Sequence, residues 1–404
     1  MTGRLRQLVV VCSGCLAASV PSRAADWPEF RGPGGRGVAA GETIRTAWSE
    51  TEGIAWKTDL PGRSASSPIV VGELVVTTAS SGSRQDRLHV IALDRATGRR
   101  RWERTIWATG RTLCHPTSAV AAGTPASDGR RIVALFSSCD LVCLDMTGRL
   151  LWQRNLAVER PRAGNDVGMG SSPRIIGDVV VIQLDCQGDP FAAGIDLESG
   201  DDRWVCPRDR VASWSSPVPV EFTGRPAVVL QNSAGLELRD VVDGRLAWRW
   251  GADCDGIATV TVTAADGPLL VPAGGLAAVP AGGGEPLWRA AKLSSGIASP
   301  LAWDGSVASL NRAGVLVVGD ASDGSIRGQV RLAGSFWSSP ILAGNHVVAV
   351  NTTGVTFLVS VADAEPRLVA RNELPGTFTA TPAIADGSVF LRSETALWRV
   401  SPPD

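Results

Sequence analysis

The chain has 404 residues, a formal net charge of −1, and almost equal numbers of basic (39) and acidic (40) residues. This balance excludes the basic excess that proteins binding nucleic acid or anionic membranes usually carry. Its 45 glycines and 25 prolines are typical of a chain with many tight turns. No run of 18 apolar residues follows the N-terminus, so the sequence predicts no transmembrane segment.

The first 24 residues are predicted to be a secretory signal peptide. Two arginines precede an apolar stretch from Leu8 to Val20, and Ser22-Arg23-Ala24 places small residues at the two positions that a signal peptidase reads. Cleavage after Ala24 predicts an exported protein, periplasmic or extracellular. An alternative is a lipid anchor on Cys15, because Ser13-Gly14-Cys15 forms part of a lipobox.

Residues 25–53 are predicted to form an N-terminal arm. The arm contains Asp26-Trp27-Pro28-Glu29-Phe30-Arg31-Gly32-Pro33 and then a glycine-rich stretch that ends at Gly37. Three of its glycines, Gly32, Gly34 and Gly37, match a GxGxxG pattern. They follow no predicted strand and open no predicted helix, so we expect an extended arm or cap rather than a dinucleotide site.

A unit of four short strands begins at Ser66 and recurs along the chain. In its first copy Ile69–Val71 and Leu74–Val76 flank a Gly-Glu turn, a third strand covers Leu88–Leu93, and a fourth surrounds Trp102. Apolar runs of this length, bounded by Gly, Pro, Asp and Ser, are typical of strands rather than helices.

Two markers give the period of this repeat. A small residue followed by proline opens the unit at Pro68, Pro173, Pro217, Pro300, Pro340 and Pro382, and two further openings are expected near Thr117–Val120 and Ala258–Val260. The unit closes with tryptophans 46, 50, 52, 44 and 40 residues apart, namely Trp56, Trp102, Trp152, Trp204, Trp248 and Trp288. Units six and seven lack this tryptophan. A period in the forties with four strands per unit predicts a β-propeller, and the openings give eight blades.

The two ends of the chain are predicted to complete one blade together. The last unit, Phe378–Val400, has only three strands, and Ile54–Lys57 is a single strand ahead of the first opening. Pairing them closes the ring and removes two exposed sheet edges. The sequence therefore predicts an all-β, eight-bladed propeller of four-stranded antiparallel blades over residues 54–404, closed by an N-terminal strand.

The turn before the closing tryptophan resembles the docking motif of quinoprotein, or PQQ-type, propeller repeats. The residues that carry the resemblance are Ala92, Asp94, Gly98 and Trp102 in the first blade, Asp196, Gly200 and Trp204 in the third, and Asp240, Gly244 and Trp248 in the fourth. In that family the tryptophan packs against the neighbouring blade, so the resemblance implies a structural role. The arm is similar to the WPxFRGP opening of exported PQQ-like repeat proteins common in Planctomycetes and their relatives.

The resemblance leaves the activity open. Eight blades of this type occur in quinoprotein alcohol dehydrogenases and in the propeller lipoprotein of the outer-membrane protein assembly machine, so fold does not decide function. The dehydrogenases hold the quinone against a ring of two adjacent cysteines and place calcium beside an Asp base. This chain has no adjacent cysteines. Its candidate calcium ligands, Asp185, Asp189, Asp253 and Asp255, are also common turn residues.

Other catalytic patterns are also missing from the sequence. It contains no GxSxG, HExxH or SxxK motif. Cys114 and His115 are adjacent, and neighbouring residues of a strand face opposite ways, so we interpret them as structural rather than as a nucleophile and its base. His89 lies within an apolar strand and His346 in a turn before Val347, and both are interpreted as structural.

Six cysteines follow the predicted signal: Cys114, Cys139, Cys143, Cys186, Cys206 and Cys254. An exported protein permits disulfides, and the sequence leaves their pairing open, including whether Cys186 and Cys206 are joined. Cys139 and Cys143 are expected in one strand, roughly 13 Å apart and too distant to bridge. The mature chain has no CxxC pair and no zinc-finger histidines, so no metal site is predicted.

The mouth of the central channel is the predicted binding position. The residues just before the innermost strands should line this rim, and four of them are large: Met169, Trp214, Trp337 and Phe378. Asn165 and Asp166 lie close by. Aromatic side chains at a rim suit a peptide, a sugar or a flat ring, but they also suit packing between blades.

These observations favour an exported, non-catalytic propeller that acts as a binding or scaffold module, monomeric on its own, without a cofactor. Its partner would be a protein of the cell envelope or outside the cell, or a polysaccharide. The alternative is a quinone-dependent oxidoreductase, with PQQ and calcium, that lacks the cysteine ring. A third interpretation is a degenerate family member that supports a larger assembly.

Overall fold

The computed structural model describes residues 26–251, 254, 263–264, 267–363 and 365–403, with only the backbone at 263–264. The fold is an all-β propeller of eight blades, each built on a four-stranded antiparallel sheet. Within the described residues, helical structure is limited to a 3₁₀ turn at Pro33–Gly35 and one short helix, α1, at Leu156–Glu159. The fold predicted from the repeats is confirmed.

Two strands precede the first blade, β1 (Val38–Ala39) and β2 (Ile54–Asp59). Blade 1 contains β3 (Ile69–Val71), β4 (Leu74–Ser81), β5 (Arg87–Asp94) and β6 (Arg100–Trp107). Blade 2 contains β7 (Ala126–Ser127), β8 (Arg131–Leu135), β9 (Asp140–Asp145) and β10 (Leu150–Asn155). Blade 3 contains β11 (Arg174–Ile176), β12 (Val179–Leu184), β13 (Phe191–Asp196) and β14 (Asp202–Pro207). Blade 4 contains β15 (Val218–Phe222), β16 (Arg225–Asn232), β17 (Gly235–Asp240) and β18 (Leu246–Gly251).

Blade 5 contains β19 (Thr263–Ala264), β20 (Leu269–Pro272), β21 (Leu276–Val279) and β22 (Trp288–Ala290). Blade 6 contains β23 (Leu301–Trp303), β24 (Ser306–Leu310), β25 (Val315–Asp320) and β26 (Ile326–Arg331). Blade 7 contains β27 (Ile341–Ala343), β28 (His346–Val350), β29 (Val355–Ser360) and β30 (Arg367–Glu373). Blade 8 contains β31 (Ala383–Ala385), β32 (Ser388–Arg392) and β33 (Ala396–Val400), and β2 is its fourth strand.

The sequence of each strand matches its depth in the blade. The inner strands, such as β5 and β12, are buried over almost their whole length and read as nearly continuous runs of Val, Ile, Leu and Ala. The outer strands, such as β6, alternate exposed and half-buried residues. Each blade lies between two neighbours, so both faces of its inner strands lose contact with water and both must be apolar.

The position predicted for the start of blade 2 is wrong. Its innermost strand follows Thr124-Pro125, rather than Thr117–Val120. A long connection separates blades 1 and 2, and its apolar residues Ala119, Val120 and Ala121 are buried without forming a strand. These apolar residues resemble a short strand in the sequence, which explains the wrong prediction. The opening expected at Ala258–Val260 lies outside the described residues.

The ring closes as predicted, by pairing of the first strand with the last unit. β2 pairs antiparallel with β33, with Ile54 opposite Val400, Trp56 opposite Arg399 and Lys57 opposite Trp398. A strand from the start of the chain therefore becomes the outer strand of the last blade. The pairing gives β2 a partner and covers the edge of β33 that faces away from β32.

At six junctions a tryptophan ties one blade to the next. The indole Nε1–H of Trp56, Trp102, Trp152, Trp204, Trp248 and Trp288 donates to a backbone carbonyl in the turn of the following blade, at 2.8–3.1 Å. The turn glycine that receives the ring has a positive φ, as at Gly98 and Gly148. A Cβ on either glycine would lie 2.6 Å from the indole. The turn therefore needs glycine both for its positive φ and to let the indole approach the backbone.

Two junctions use other residues where the sequence lacks the tryptophan. In blade 6, Gly328 stands where the other blades have the closing tryptophan, opposite Val318. Pro366 of blade 7 packs into the space that the missing side chain leaves. Ala370 occupies the same position in blade 7, where it packs on the same apolar cluster as Trp48 of the N-terminal arm. The backbone N–H of Trp48 donates to Asn372 Oδ1 at 3.0 Å, which fixes the arm on this blade.

The N-terminal arm runs along the inside of the ring, and its described contacts reach blades 1, 2, 3, 4, 6, 7 and 8. Trp27 forms a backbone bridge to Val70 in blade 1, and the carbonyl of Pro28 accepts from Ser127 in blade 2. The next contacts are Glu29 to Arg174 in blade 3, the 3₁₀ turn on β15 in blade 4, and Arg31 to Pro300 at the start of blade 6. β1 then pairs parallel with β27 in blade 7, and Glu42 accepts from Gly387 in blade 8.

Candidate binding cavity at the channel mouth

A cavity of about 280 Å³ lies in the central channel. Phe30 of the arm contributes to its lining, together with residues that precede the innermost strands of seven blades. The arm therefore forms part of the cavity wall. Its side chains, grouped by chemistry, are small (Ala65, Ala122, Gly170), hydroxyl (Ser67, Ser118, Thr124, Ser172, Ser216, Ser339, Thr379, Thr381) and large apolar or aromatic (Phe30, His115, Val167, Met169, Trp214, Ile297, Trp337).

A series of hydroxyl side chains around the cavity joins neighbouring blades. Each belongs to the residue before the opening proline, and each accepts a hydrogen bond from the backbone N–H of the matching residue in the preceding blade. The five bonds run from Ser67 to Thr124, Thr124 to Ser172, Ser172 to Ser216, Ser299 to Ser339 and Ser339 to Thr381, at 2.9–3.0 Å. The small-residue-plus-proline motif therefore fixes blade spacing at the channel wall.

Two tryptophans stand at the mouth in fixed orientations. The Nε1–H of Trp214 donates to the carbonyl of Gly168 at 2.7 Å. Trp337 packs against the imidazole of His115, with ring centroids 5.7 Å apart. His115 belongs to the connection between blades 1 and 2, whereas Trp337 belongs to blade 7, so that connection reaches over the mouth.

Three of the four predicted rim residues line the cavity, namely Met169, Trp214 and Trp337. Phe378 does not. It is buried in the core shared by blades 7 and 8, where Gly354 and Gly376 leave room for its ring. The neighbouring Thr379 and Thr381 face the cavity instead. Asn165 is buried and donates to the carbonyl of Asp185, and Asp166 forms an exposed ion pair with Arg111.

Sequence reasoning missed the hydroxyl side chains, Phe30 and His115 as parts of this cavity. A signal for the hydroxyls was present, because Ser or Thr precedes the opening proline in every described opening. No periodic signal marks Phe30, because it reaches the channel through the single course of the arm. His115 lies in the middle of the long connection between blades 1 and 2, away from the repeated opening motif.

Asp185, a candidate calcium ligand in the sequence, instead forms a buried ion pair. Its carboxylate accepts from Arg208 Nε at 3.0 Å, and Arg208 also pairs with Glu237 at 2.9 Å. Burial by itself would lower the pKa of Arg208, but the two carboxylates outweigh it and keep the pKa above its usual value. Asp253 and Asp255 lie outside the described residues. No group of three or more metal-ligating side chains occurs among the residues whose structure is described.

The described cysteines are all free thiols. Cys139 is not in a strand with Cys143, as the sequence suggested. It lies in the turn before β9 with a φ of 65°, a conformation that a regular strand does not contain. Burial raises the pKa of both thiols to about 12, so neither is ionised at neutral pH.

Three exposed apolar side chains lie on the two long connections that follow blades 1 and 2 or at the strand end that leads into them. Trp107 (65% exposed) ends β6, Leu113 (55%) lies in the connection that holds His115, and Val158 (65%) lies on α1. These segments are adjacent, since Gly110 packs on Ala157 and the N–H of His115 donates to the carbonyl of Val167 at 3.0 Å. No described helix is long and apolar enough to cross a membrane.

The sequence family described as "Outer membrane protein assembly factor BamB", a PQQ-type repeat family, matches residues 32–250 and 272–366, which is more than half of the chain. The chain belongs to this family. The match covers the arm from Gly32 and most of the ring, so membership in the BamB family rests on the repeat architecture. No curated protein matches the sequence.

Solved structures share the fold with low identity. BamB from Moraxella catarrhalis is 16% identical with a TM-score of 0.63, and the alignment covers 86% of this chain and 97% of that one. The quinohemoprotein alcohol dehydrogenase from Comamonas testosteroni is 13% identical with a TM-score of 0.70, covering 95% and 82%. A europium-containing methanol dehydrogenase is 11% identical with a TM-score of 0.68, covering 92% and 90%. At these identities the likeness shows the propeller fold alone.

Proposed function

We propose that this BamB-family propeller is an exported, non-catalytic binding or scaffold module, and that it binds a protein of the cell envelope through the face that carries the cavity. The observation that supports this proposal most strongly is the exposure of Trp107, Leu113 and Val158 on adjacent segments, which also supply His115 and Val167 to the cavity lining. Exposed apolar side chains that lie together are typical of interaction sites, and tryptophan contributes strongly at such sites. The predicted signal peptide and the WPxFRGP-type arm support export.

The chemistry of the cavity supports a non-catalytic role. PQQ is a tricarboxylate that the dehydrogenases bind together with calcium. The described lining contains no Arg or Lys to neutralise carboxylates and no Asp or Glu to bind calcium. Because these residues do not fit the cofactor, we derive no reaction through it.

Site-specific photo-crosslinking in the producing cell tests this proposal. A photoreactive residue at position 113 or 158 is expected to give one adduct with the same envelope protein. Leu287, which is 64% exposed but lies in blade 5, provides the matched control position. We expect little adduct at position 287, because an exposed apolar side chain outside the proposed interface should not contact the partner.

Purified proteins then give the decisive measurement. Replacing both Trp107 and Val158 by Ser should weaken the affinity for the crosslinked protein at least tenfold, whereas Leu287→Ser should leave it unchanged. Equal crosslinking from all three positions, or an affinity that the double variant does not alter, would contradict the proposal. An exported protein is also expected to begin at residue 25 or at a lipidated Cys15, and full-length chain retained inside the cell would contradict export.

A further inference from the structure

We infer that the cavity is itself a ligand site, and that it takes an uncharged planar small molecule bearing hydrogen-bond acceptor oxygens, such as an aromatic amide or ketone. This inference goes beyond protein binding at the surrounding face and does not depend on it. It also separates this cavity from one that would hold an anionic quinone. Three independent properties of the lining lead to it: the donors, the charge and the shape.

Four buried hydroxyl groups in the lining have hydrogens without an acceptor. Thr124, Ser172, Ser339 and Thr381 are each at most 4% exposed, and each hydroxyl oxygen accepts a backbone N–H from the preceding blade. None of the four donates to an acceptor anywhere in the described part of the chain. A hydroxyl has one donor, and it rotates to suit its surroundings. These O–H groups are therefore available to a molecule in the cavity.

Buried donors favour a ligand with acceptor oxygens. A buried hydroxyl without an acceptor is costly, and bound water or a ligand oxygen removes that cost. Donors from blades 2, 3, 7 and 8 lie on different sides of the channel. A ligand with oxygens on one or two edges can accept from several of them at once.

The lining has no charge that would retain an ion. Its described side chains include no Lys, Arg, Asp or Glu. Arg208, on the segment that leads to Trp214, already pairs with Asp185 and Glu237, so it is not available to a carboxylate. An anion entering this cavity would lose its hydration without gaining a cation, which is strongly unfavourable. The site therefore selects an uncharged molecule.

The walls suit a flat ring. Trp214, Trp337 and Phe30 are aromatic, and Met169 and Ile297 add apolar surface. Trp214 is held by its bond to Gly168, so its indole is oriented before a ligand arrives. Aromatic rings stack or meet edge to face with a planar partner. A cavity of about 280 Å³ is large enough for a bicyclic ring system.

A matched pair of probes tests the inference on the purified mature protein. 2-Naphthamide has a planar ring, an acceptor oxygen and no charge, whereas 2-naphthoate has the same shape and a negative charge. We expect isothermal titration calorimetry to show saturable binding of one naphthamide per chain, at least tenfold tighter than naphthoate. Ligand-observed NMR provides the same comparison when the heats are small.

Cavity-filling variants locate the site. Ala122→Phe places a ring in the cavity and should abolish naphthamide binding, whereas Ala96→Phe, on an exposed turn of blade 1, should leave it unchanged. If Ala122→Phe does not fold, Ile297→Phe replaces it. Thr124→Val and Thr381→Val remove a donor with little change of shape, and at least one should weaken binding fivefold or more, while the corresponding Thr→Ser variants should not.

Several outcomes would overturn the inference. Absence of saturable naphthamide binding to the wild-type chain would mean that the hydroxyls bind water only. Naphthoate binding as tightly as naphthamide would refute the argument from charge. Binding that survives both filling variants would place the ligand elsewhere, and binding unaffected by both Thr→Val changes would refute the role of the hydroxyl donors. None of these outcomes depends on the protein partner, so the two proposals fail separately.

Discussion

A single tryptophan and a single glycine decide how closely two blades approach. Trp102 of blade 1 donates to the carbonyl of Met146 in blade 2, and its indole lies against Gly148. The glycine has a φ of 82°, and a Cβ built on it would lie 2.6 Å from the indole. Gly129 in the same blade has a similar φ of 84° but no atom within 4 Å of that position.

These two glycines separate backbone strain from crowding. Gly129→Ala should lower the free energy of unfolding by about 1 kcal/mol, because alanine is strained at positive φ. Gly148→Ala should cost roughly 2 kcal/mol more, because the indole must also move away from the turn. Urea unfolding followed by fluorescence measures both. Equal losses for the two variants would show that the indole contact does not constrain the turn.

Two buried arginines have opposite surroundings. Arg208 lies between the carboxylates of Asp185 and Glu237. Arg392 is fully buried, and within the described structure its one hydrogen bond is from Nη1 to Thr77 Oγ1, while Nε and Nη2 have no acceptor. Burial lowers the pKa of Arg392 to about 9.

The two arginines should therefore respond oppositely to the same substitution. Arg208→Met leaves two carboxylates buried without a cation and should lower the free energy of unfolding by about 3–5 kcal/mol. Arg392→Met removes an uncompensated charge and should raise it by roughly 1 kcal/mol or leave it unchanged. Both values come from urea unfolding at pH 7. A loss of several kcal/mol at Arg392 would indicate that the cation has a partner that stabilises it.

The pH dependence of Arg392 has a definite sign. Its folded-state pKa is lower than its unfolded value, so the unfolded chain binds more protons above about pH 9 and folding stability from this group rises with pH in that range. Below pH 9 both states are protonated and the unfavourable contribution is constant. The difference between wild type and Arg392→Met should therefore shrink as the pH rises above 9.

At the scale of elements, the arm is held by one buried ion pair. Glu29 pairs with Arg174 at 2.7 Å, where the Arg174 side chain is 1% exposed. The same guanidinium lies 3.4 Å from the carbonyl of Phe30, the arm residue that faces the cavity. The position of the arm and the lining of the cavity are thus coupled through a single side chain of blade 3.

Removing that charge should loosen the arm. Glu29→Gln is expected to lower the free energy of unfolding by about 3 kcal/mol, because it leaves Arg174 buried without its carboxylate. Glu73→Gln, on an exposed turn of blade 1, provides the control and should change stability by less than about 0.5 kcal/mol. Chemical denaturation compares the two, and a similar small effect for both would mean that the arm does not depend on this ion pair.

The strands were largely predictable from the sequence, because short apolar runs, turn residues and a period in the forties all indicate the same structure. The start of blade 2 was not, since Ala119–Ala121 are as apolar as a strand but are buried in a connection. Cys139 similarly looked like part of a strand, and only the backbone shows it in the turn. Local patterns do not distinguish a buried loop from a buried strand.

The candidate site was partly predictable for a geometric reason. Trp214 and Trp337 lie three residues before their opening prolines and Met169 lies four before its own, so the topology brings all three to one channel mouth. Phe378 lies four residues before Pro382, and its side chain turns into the core, where Gly354 and Gly376 leave space, while Thr379 at the three-residue position lines the cavity. The direction of a side chain depends on such neighbours, which the repeat pattern does not specify.

At the scale of the whole molecule, both ends of the chain are needed to close the ring. A chain that ends at Thr395 lacks β33, so β2 and β32 become open edges. We expect this chain to lose a single cooperative unfolding transition and to form oligomers through the unpaired strands. Calorimetry and size-exclusion chromatography measure the two effects.

The control for that truncation ends at Ser401, beyond the last strand. It keeps β33 and the bond from the Ser401 N–H to the Gly53 carbonyl, so it should unfold cooperatively as a monomer. If the chain that ends at Thr395 is also monomeric and cooperative, then the pairing of the termini does not close the ring in solution.

The course of the arm also affects the order in which the molecule can fold. Arg31 contacts Pro300, Glu42 contacts Gly387 and Trp48 contacts Asn372, which are separated by 269, 345 and 324 residues. The arm leaves the ribosome first, but its partners in the last blades are made only at the end of synthesis. Contacts between residues so far apart in the sequence form late, because a long loop must close first. We therefore expect the arm to dock last, after the blades that it contacts have formed.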